Sequence, residues 1–136
     1  MRTVLLHLIP TADWRSVLAT GVVEPLPDVG FVHLSTPEQV ALPANRLFAG
    51  RRDLLLLLLD PQRLDVEVRW EPGVPGDPAS MRFPHAYGPV PASAVVAVEP
   101  YRPDGDGVFA PPDLGTTGFS ATSRRIWVPA RSSSGE

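Results

Sequence analysis

The apolar positions of this chain fall into short runs of two kinds. Residues 54–59 are six consecutive leucines between Asp53 and Asp60. Six residues is a strand's length, and an unbroken apolar run predicts a strand buried on both faces. Residues 3–8, TVLLHL, predict a second strand stopped by Pro10. Val66, Val68 and Trp70 alternate with Glu67, Arg69 and Glu71, the period of two expected of a half-buried strand. Residues 31–35, 92–98 and 124–128 predict three more strands.

Helical spacing occurs twice, both times early. Trp14, Val17 and Leu18 form an i, i+3, i+4 stripe. Thr11 is placed to cap that helix, Asp13 sits in its first turn, and Gly21 stops it after Thr20. A second helix is expected after Ser35 or Thr36 as cap, with Pro37 at its first position and Glu38 or Gln39 completing a capping box. Pro43 should kink it or divide it into two short pieces, and Gly50 should end it. Two N-terminal helices followed by short strands predict an α+β domain with a mixed, mostly antiparallel sheet.

Composition narrows the function classes. At 136 residues the chain is sized for one domain, here residues 1–100. Residues 101–136 read as a Pro/Gly-rich extension packed on the same domain, with the polar tail ARSSSGE as a frayed end. A net charge of −3 provides no field for a nucleic-acid backbone, so nucleic acid is an unlikely partner. All 12 basic residues are arginine, and there is no cysteine, hence no disulfide, thiolate nucleophile or cysteine metal site. No apolar run approaches the roughly 20 residues of a membrane span, and MRTVLLHLIP lacks the form of a secretion signal. The expected location is cytoplasmic.

The candidate chemistry lies in three histidines and one glutamate. His7 and His33 sit in strand-like runs, His33 on the same side of its strand as Phe31 and Ser35. His85 and Tyr87 alternate within FPHAYG, after the Pro/Gly-rich stretch 72–78, which could form a rim. Taken singly, each histidine reads as a strand residue bonded to backbone; together they suggest a pocket. Three histidines could hold a metal, but no i, i+4 pair supports it. Glu71 ends an alternating strand, where it is either a solvated carboxylate or a general base. Arg46, Arg51 and Arg52 complement the end of the second helix or meet a phosphate. The DGDG of residues 104–107 lacks the later ligands of a calcium loop and reads as a turn.

Taken in order, LLHLIPTADW, GFVHLSTPEQV, DLLLLLLD, VRWE and FPHAYGPVP resemble the domain-of-unknown-function 952 family of small bacterial and plant proteins, over residues 3–98. The carrying motifs are G-F-[IV]-H-x-S at residues 30–35, the glutamine of the following helix start (Gln39), Trp70–Glu71, and F-P-H-x-Y-G at residues 83–88. Leu6, where the family often has tyrosine, Pro43 and the C-terminal extension depart from the pattern. The resemblance implies a split sheet similar to that of ADP-ribosyltransferases and RNA 2′-phosphotransferases. It further implies a nucleotide-like small-molecule substrate, with NAD as the possible cofactor. In that reading His7 and His33 match the first two catalytic positions, while Glu71 and His85 compete for the third. Ser35, Thr36, Gln39 and Tyr87 would bind the ligand, the first three around a helix N-terminus. The alternatives are a small-molecule or protein-binding module without turnover and, more weakly, a histidine metal site. Catalysis requires these residues to converge on one cleft.

Overall fold

The structure, a computed structural model, describes residues 4–73 and 81–114. Strand β1 (Leu5–Pro10) leads directly into helix α1 (Thr11–Thr20), followed by the short strands β2 (Val22–Val23) and β3 (Val32–His33). Helix α2 (Ala41–Leu47), strand β4 (Leu54–Leu59), strand β5 (Val68–Pro72) and strand β6 (Arg82–Ala86) come next. Strands β7 (Val90–Pro91) and β8 (Val95–Tyr101) complete the described elements.

The strands form two three-stranded sheets, β1-β4-β8 and β3-β6-β5, and a ribbon of β2 with β7. Every pairing among the described residues is antiparallel. The parallel component of the expected mixed sheet is therefore absent from them. A lone antiparallel bridge between Leu6 and Ser35 joins the sheets in the order β8-β4-β1-β3-β6-β5. Its two backbone bonds are Leu6 N–H to Ser35 O, 2.7 Å, and Ser35 N–H to Leu6 O, 2.8 Å.

β4 occupies the centre of its sheet, so its leucines are buried on both sides, as the unbroken run predicts. Leu57 and Leu59 pack with Leu5, Ile9 and the α1 residues Trp14 and Val17. Leu54, Leu56 and Leu58 face the other way, onto Leu6, Val40 and the α2 residue Ala44. The helices thus cover opposite faces. Tyr101, Phe109 and Leu114 join the α2-side cluster, and the Asn45 side chain clasps the backbone of Phe109 at both N–H and C=O. β8 runs through Tyr101, across the boundary expected at residue 100.

Several local expectations are corrected. Thr11 is the first helical residue, its hydroxyl donating to Asp53 O at 2.9 Å, because Pro10 takes the cap position. α2 begins at Ala41, not after Ser35. Ser35 is held in the bridge to β1, so the chain makes only a turn over residues 37–40 before it can coil. Pro43 then falls in the first helical turn, where its missing N–H is no loss. Residues 92–94 form a 3₁₀ turn ahead of β8. Gly21 does end α1, with φ of 87°. The DGDG segment is a turn in which Asp104 accepts from the N–H groups of Asp106 and Val108. Residues 124–128 lie outside the described residues.

A strand buried on both faces makes a specific demand. Leu57→Ala and Leu58→Ala, on opposite faces, should each lower unfolding free energy by about 2–5 kcal/mol in urea titration. A loss confined to one of them would contradict two-sided burial.

Candidate functional site

The register of β3-β6-β5 assembles one face of chemically capable side chains. His33 pairs with His85, and His85 with Arg69. Residues opposite one another share a face, as do those two positions along. Phe31 and His33, Phe83, His85 and Tyr87, and Glu67, Arg69 and Glu71 therefore all project from the same side. The other side carries Val32, Leu34 and Ala86, which belong to the core beneath α1. Trp70 is 47% exposed and points away from the site, so Glu71 faces it.

Glu71 and His85, which compete for one role in the family pattern, prove to be partners. Glu71 Oε1 accepts from His85 Nδ1 at 2.8 Å and from the Tyr87 hydroxyl at 2.7 Å. These bonds hold the Glu71 carboxyl below its usual pKa range, the tyrosine contributing most and His85 next. The same bond raises the Tyr87 hydroxyl, since ionising it would set two anions together. An ionised acceptor places the proton on His85 Nδ1, which leaves Nε2 as the acceptor of the neutral ring. His85 is only 1% exposed, and its Nε2 has no protein partner among the described residues.

Aromatic rings close around this pair. Phe31 stacks on His85 with centroids 4.0 Å apart and an angle of 11°. His33 meets both edge-on, at 4.8 Å from Phe31 and 5.3 Å from His85. The Arg69 guanidinium lies 4.3 Å from the Tyr87 ring centroid while pairing with Glu67. Burial lowers the His33 pKa, and the neighbouring His85 lowers it further.

His7 belongs to β1, on the other side of the split. Beyond the Leu6–Ser35 bridge the strands diverge, and the next bond between them comes from a side chain. His7 Nδ1 donates to His33 O at 2.8 Å. A carbonyl acceptor requires the proton on Nδ1, so the neutral ring presents Nε2 as an acceptor. Protein surrounds His7 except where it opens onto the cavity, and this burial lowers its pKa.

The cavity, of about 580 Å³, lies along the split and is lined by His7, His33, Ser35 and His85. Histidines from three strands therefore converge, as the pattern suggests. Ser35 is buried at this wall, its backbone engaged in the bridge. Thr36 and Gln39 are not on the wall. Gln39 Oε1 accepts from Thr36 N–H at 3.2 Å, the expected half of a capping box, and its amide donates to Arg82 O, tying the turn to β6. The anticipated helix N-terminus beside Ser35 does not exist, because the helix starts six residues later. Among the described residues no group of three or more His, Cys, Asp or Glu could hold a metal ion. The Nδ1 atoms of His7 and His85 already serve protein acceptors, and no helix there is long and apolar enough to cross a membrane.

Residues 8–98 match the model of the family described as "Protein of unknown function (DUF952)". The chain belongs to this family. Its fold is shared by the crystal structure of protein CC0527 from Caulobacter crescentus, with 32% identity and a TM-score of 0.68. That match covers 79% of this chain and 94% of the other. The solution NMR structure of CC0527 matches at 32% identity and a TM-score of 0.65, covering 84% and 95%. Among curated proteins no match was found.

Within this DUF952 domain, sequence reasoning missed the roles of Phe31 and Arg69. Strand alternation places Phe31 only on the same side as His33; that it faces His85 follows from the β3-β6 register, which the sequence does not display. Arg69 was visible only as the polar alternate of a strand, and its place beside Tyr87 depends on the β5-β6 pairing.

The depressed histidines set a pH dependence. The unfolded chain binds protons at His7 and His33 as pH falls below about 6.5, whereas the folded chain resists them, so stability declines as pH drops from there toward the lower native values. Glu71 adds its loss only below about 4.5. The unfolding free energy from urea titration should fall as pH is lowered from about 7.5 to 5. His7→Asn, which keeps a donor for His33 O but cannot titrate, should reduce the slope to the part that His33 contributes. An unchanged slope in that variant would refute the assignment.

Proposed function

We propose that the protein binds a ribose-bearing nucleotide, of the NAD or ADP-ribose kind, in the split of its sheet, as a member of the ADP-ribosyltransferase-like class. One observation carries this reading. Two imidazoles from opposite sides of the split, His7 and His85, commit Nδ1 to protein acceptors, and both residues line one cavity. A cavity lined by neutral imidazoles and a serine suits a ligand rich in hydroxyl groups, such as a ribose. The cavity volume lies within the range of small-molecule sites.

Transfer chemistry would use the Glu71–His85 pair. His85 Nε2 would take a proton from the acceptor group while the Glu71 carboxylate stabilises the imidazolium formed. Glu71 does not line the cavity and would act through His85. A binding module without turnover is the second reading, favoured by the near-complete burial of His85 beneath Phe31.

Calorimetry with ADP-ribose and NAD tests the binding. His33→Ala should weaken it by about tenfold or more, the loss of one or two hydrogen bonds, with the thermal midpoint nearly unchanged. Absence of binding at millimolar ligand would end the reading. Glu71→Gln should abolish any release of nicotinamide from NAD, followed by proton NMR, while preserving affinity within a few-fold. Binding without turnover in the parent protein would leave the module.

A further inference from the structure

β5 ends the strand order β8-β4-β1-β3-β6-β5, so one of its long edges faces no strand among the described residues. The bonds made by its neighbour β6 fix which backbone groups lie on that edge. Tyr87 N–H donates to Glu67 O at 2.8 Å, and Leu34 N–H donates to Pro84 O at 3.0 Å. Along β6 the groups of residues 83, 85 and 87 therefore point to β5, and those of residue 84 to β3. Glu67, Arg69 and Glu71 answer them from β5, in a register without a bulge. Val68, Trp70 and Pro72 consequently turn their backbone groups outward, where Pro72 has no N–H to leave unpaired. Side chains leave this edge open as well, with Trp70 47% exposed and Pro72 exposed.

An open edge is a template for another strand, and charged side chains commonly guard it. Here the charges select a partner. Since residues 68, 70 and 72 present the groups, a second copy of β5 running antiparallel has few registers to choose from. A two-fold axis at Arg69 sets arginine against arginine, and Glu67 against Glu71 of the partner subunit. An axis at Glu71 opposes two carboxylates, and an axis at Val68 runs off the start of the strand. An axis at Trp70 places Arg69 opposite the partner's Glu71 and Glu71 opposite the partner's Arg69. Opposite charges in facing positions stabilise a strand pair, and like charges destabilise it. The same register bonds each Trp70 N–H to the carbonyl of the partner's Trp70, and each Val68 N–H to that of the partner's Pro72.

We propose that a second copy of this chain docks on β5 by this two-fold antiparallel pairing, making one continuous sheet of the two β3-β6-β5 sheets. The exposed Trp70 rings meet on the face away from the histidines. On the histidine face the partner's Arg69 reaches Glu71, whose bonds from His85 and Tyr87 both fall on Oε1. Oε2 is left to accept from the partner. Arg69 pairs with Glu67 of its own chain through Nε and Nη2, which leaves Nη1 to donate across the axis. Each protomer thus supplies a cation to the Glu71–His85 pair of the other, whatever the cavity binds. A pairing of two five-residue strands is smaller than a standard interface, so the association is weak and depends on concentration.

Sedimentation velocity of the full chain, from micromolar to millimolar concentration, should show monomer passing into dimer. Trp70→Lys and Arg69→Glu, each of which sets like charges across the axis, should leave monomer throughout with an unchanged circular dichroism spectrum. The chain has no cysteine, so Trp70→Cys supplies a single thiol. Facing residues of a hydrogen-bonded antiparallel pair have Cα atoms about 5.5 Å apart, within disulfide reach. Oxidation with copper–phenanthroline in air should therefore give covalent dimer at least about tenfold faster than for Leu18→Cys, at an exposed position on α1, because docking raises the effective thiol concentration. A parent chain monomeric at every concentration, a dimer that survives both charge substitutions, or equal cross-linking of the two thiol variants would each overturn the proposal.

Discussion

Among the described residues a single backbone bridge, Leu6 to Ser35, joins the two three-stranded sheets, and the architecture of the site follows from it. Strands that stayed paired past the bridge would fill the space between β1 and β3 with ladder bonds and leave no cavity. Here the next potential acceptor, His33 C=O, is taken by a side chain from the facing strand, His7 Nδ1. An unpaired carbonyl in a buried sheet costs on the order of 1–3 kcal/mol, so the histidine removes a penalty that the split would otherwise impose. The split can exist because an imidazole bridges it.

That substitution has an electrostatic consequence. A ring that donates to a backbone carbonyl inside protein must be neutral for its other nitrogen to accept, and burial ensures this by lowering its pKa. Across the split the same logic recurs with a carboxylate in place of the carbonyl. Glu71 orients His85, and Tyr87 anchors Glu71 through the same oxygen. Two histidines with assigned tautomers thus line a common cavity, each oriented by a partner on the neighbouring strand. The stacking of Phe31 on His85 restricts the ring further and shields it from solvent.

Much of this was legible along the chain because it depends on local rules. The six leucines from 54 to 59 specify a two-sided strand through apolar continuity. Alternation around Trp70 and Glu71 puts them on opposite faces, and Gly21 marks the end of α1 through its left-handed backbone. The grouping of His33 with Phe31 likewise follows from strand periodicity. Expectations failed where a distant contact outcompeted a local signal. Ser35 and Thr36 carry the residues of a helix cap, yet Ser35 is drawn into the bridge with β1, and the helix waits until Ala41. Thr11 loses the cap to Pro10 and bonds Asp53 instead.

By itself the sequence determined the element types, the two-sided core strand, the membership of the histidines and Glu71 in strands, and the family. Those properties depend on the period of apolar positions and on backbone preferences that each residue carries with it. The tertiary structure alone decided that Glu71 and His85 are partners, that His7 spans a split, and that Gln39 ties a turn to β6 rather than lining the cavity. Each depends on the register between strands distant in sequence, and a shift of one residue would send every side chain to the opposite face. Register comes from packing the whole core around β4, so no local stretch could announce it.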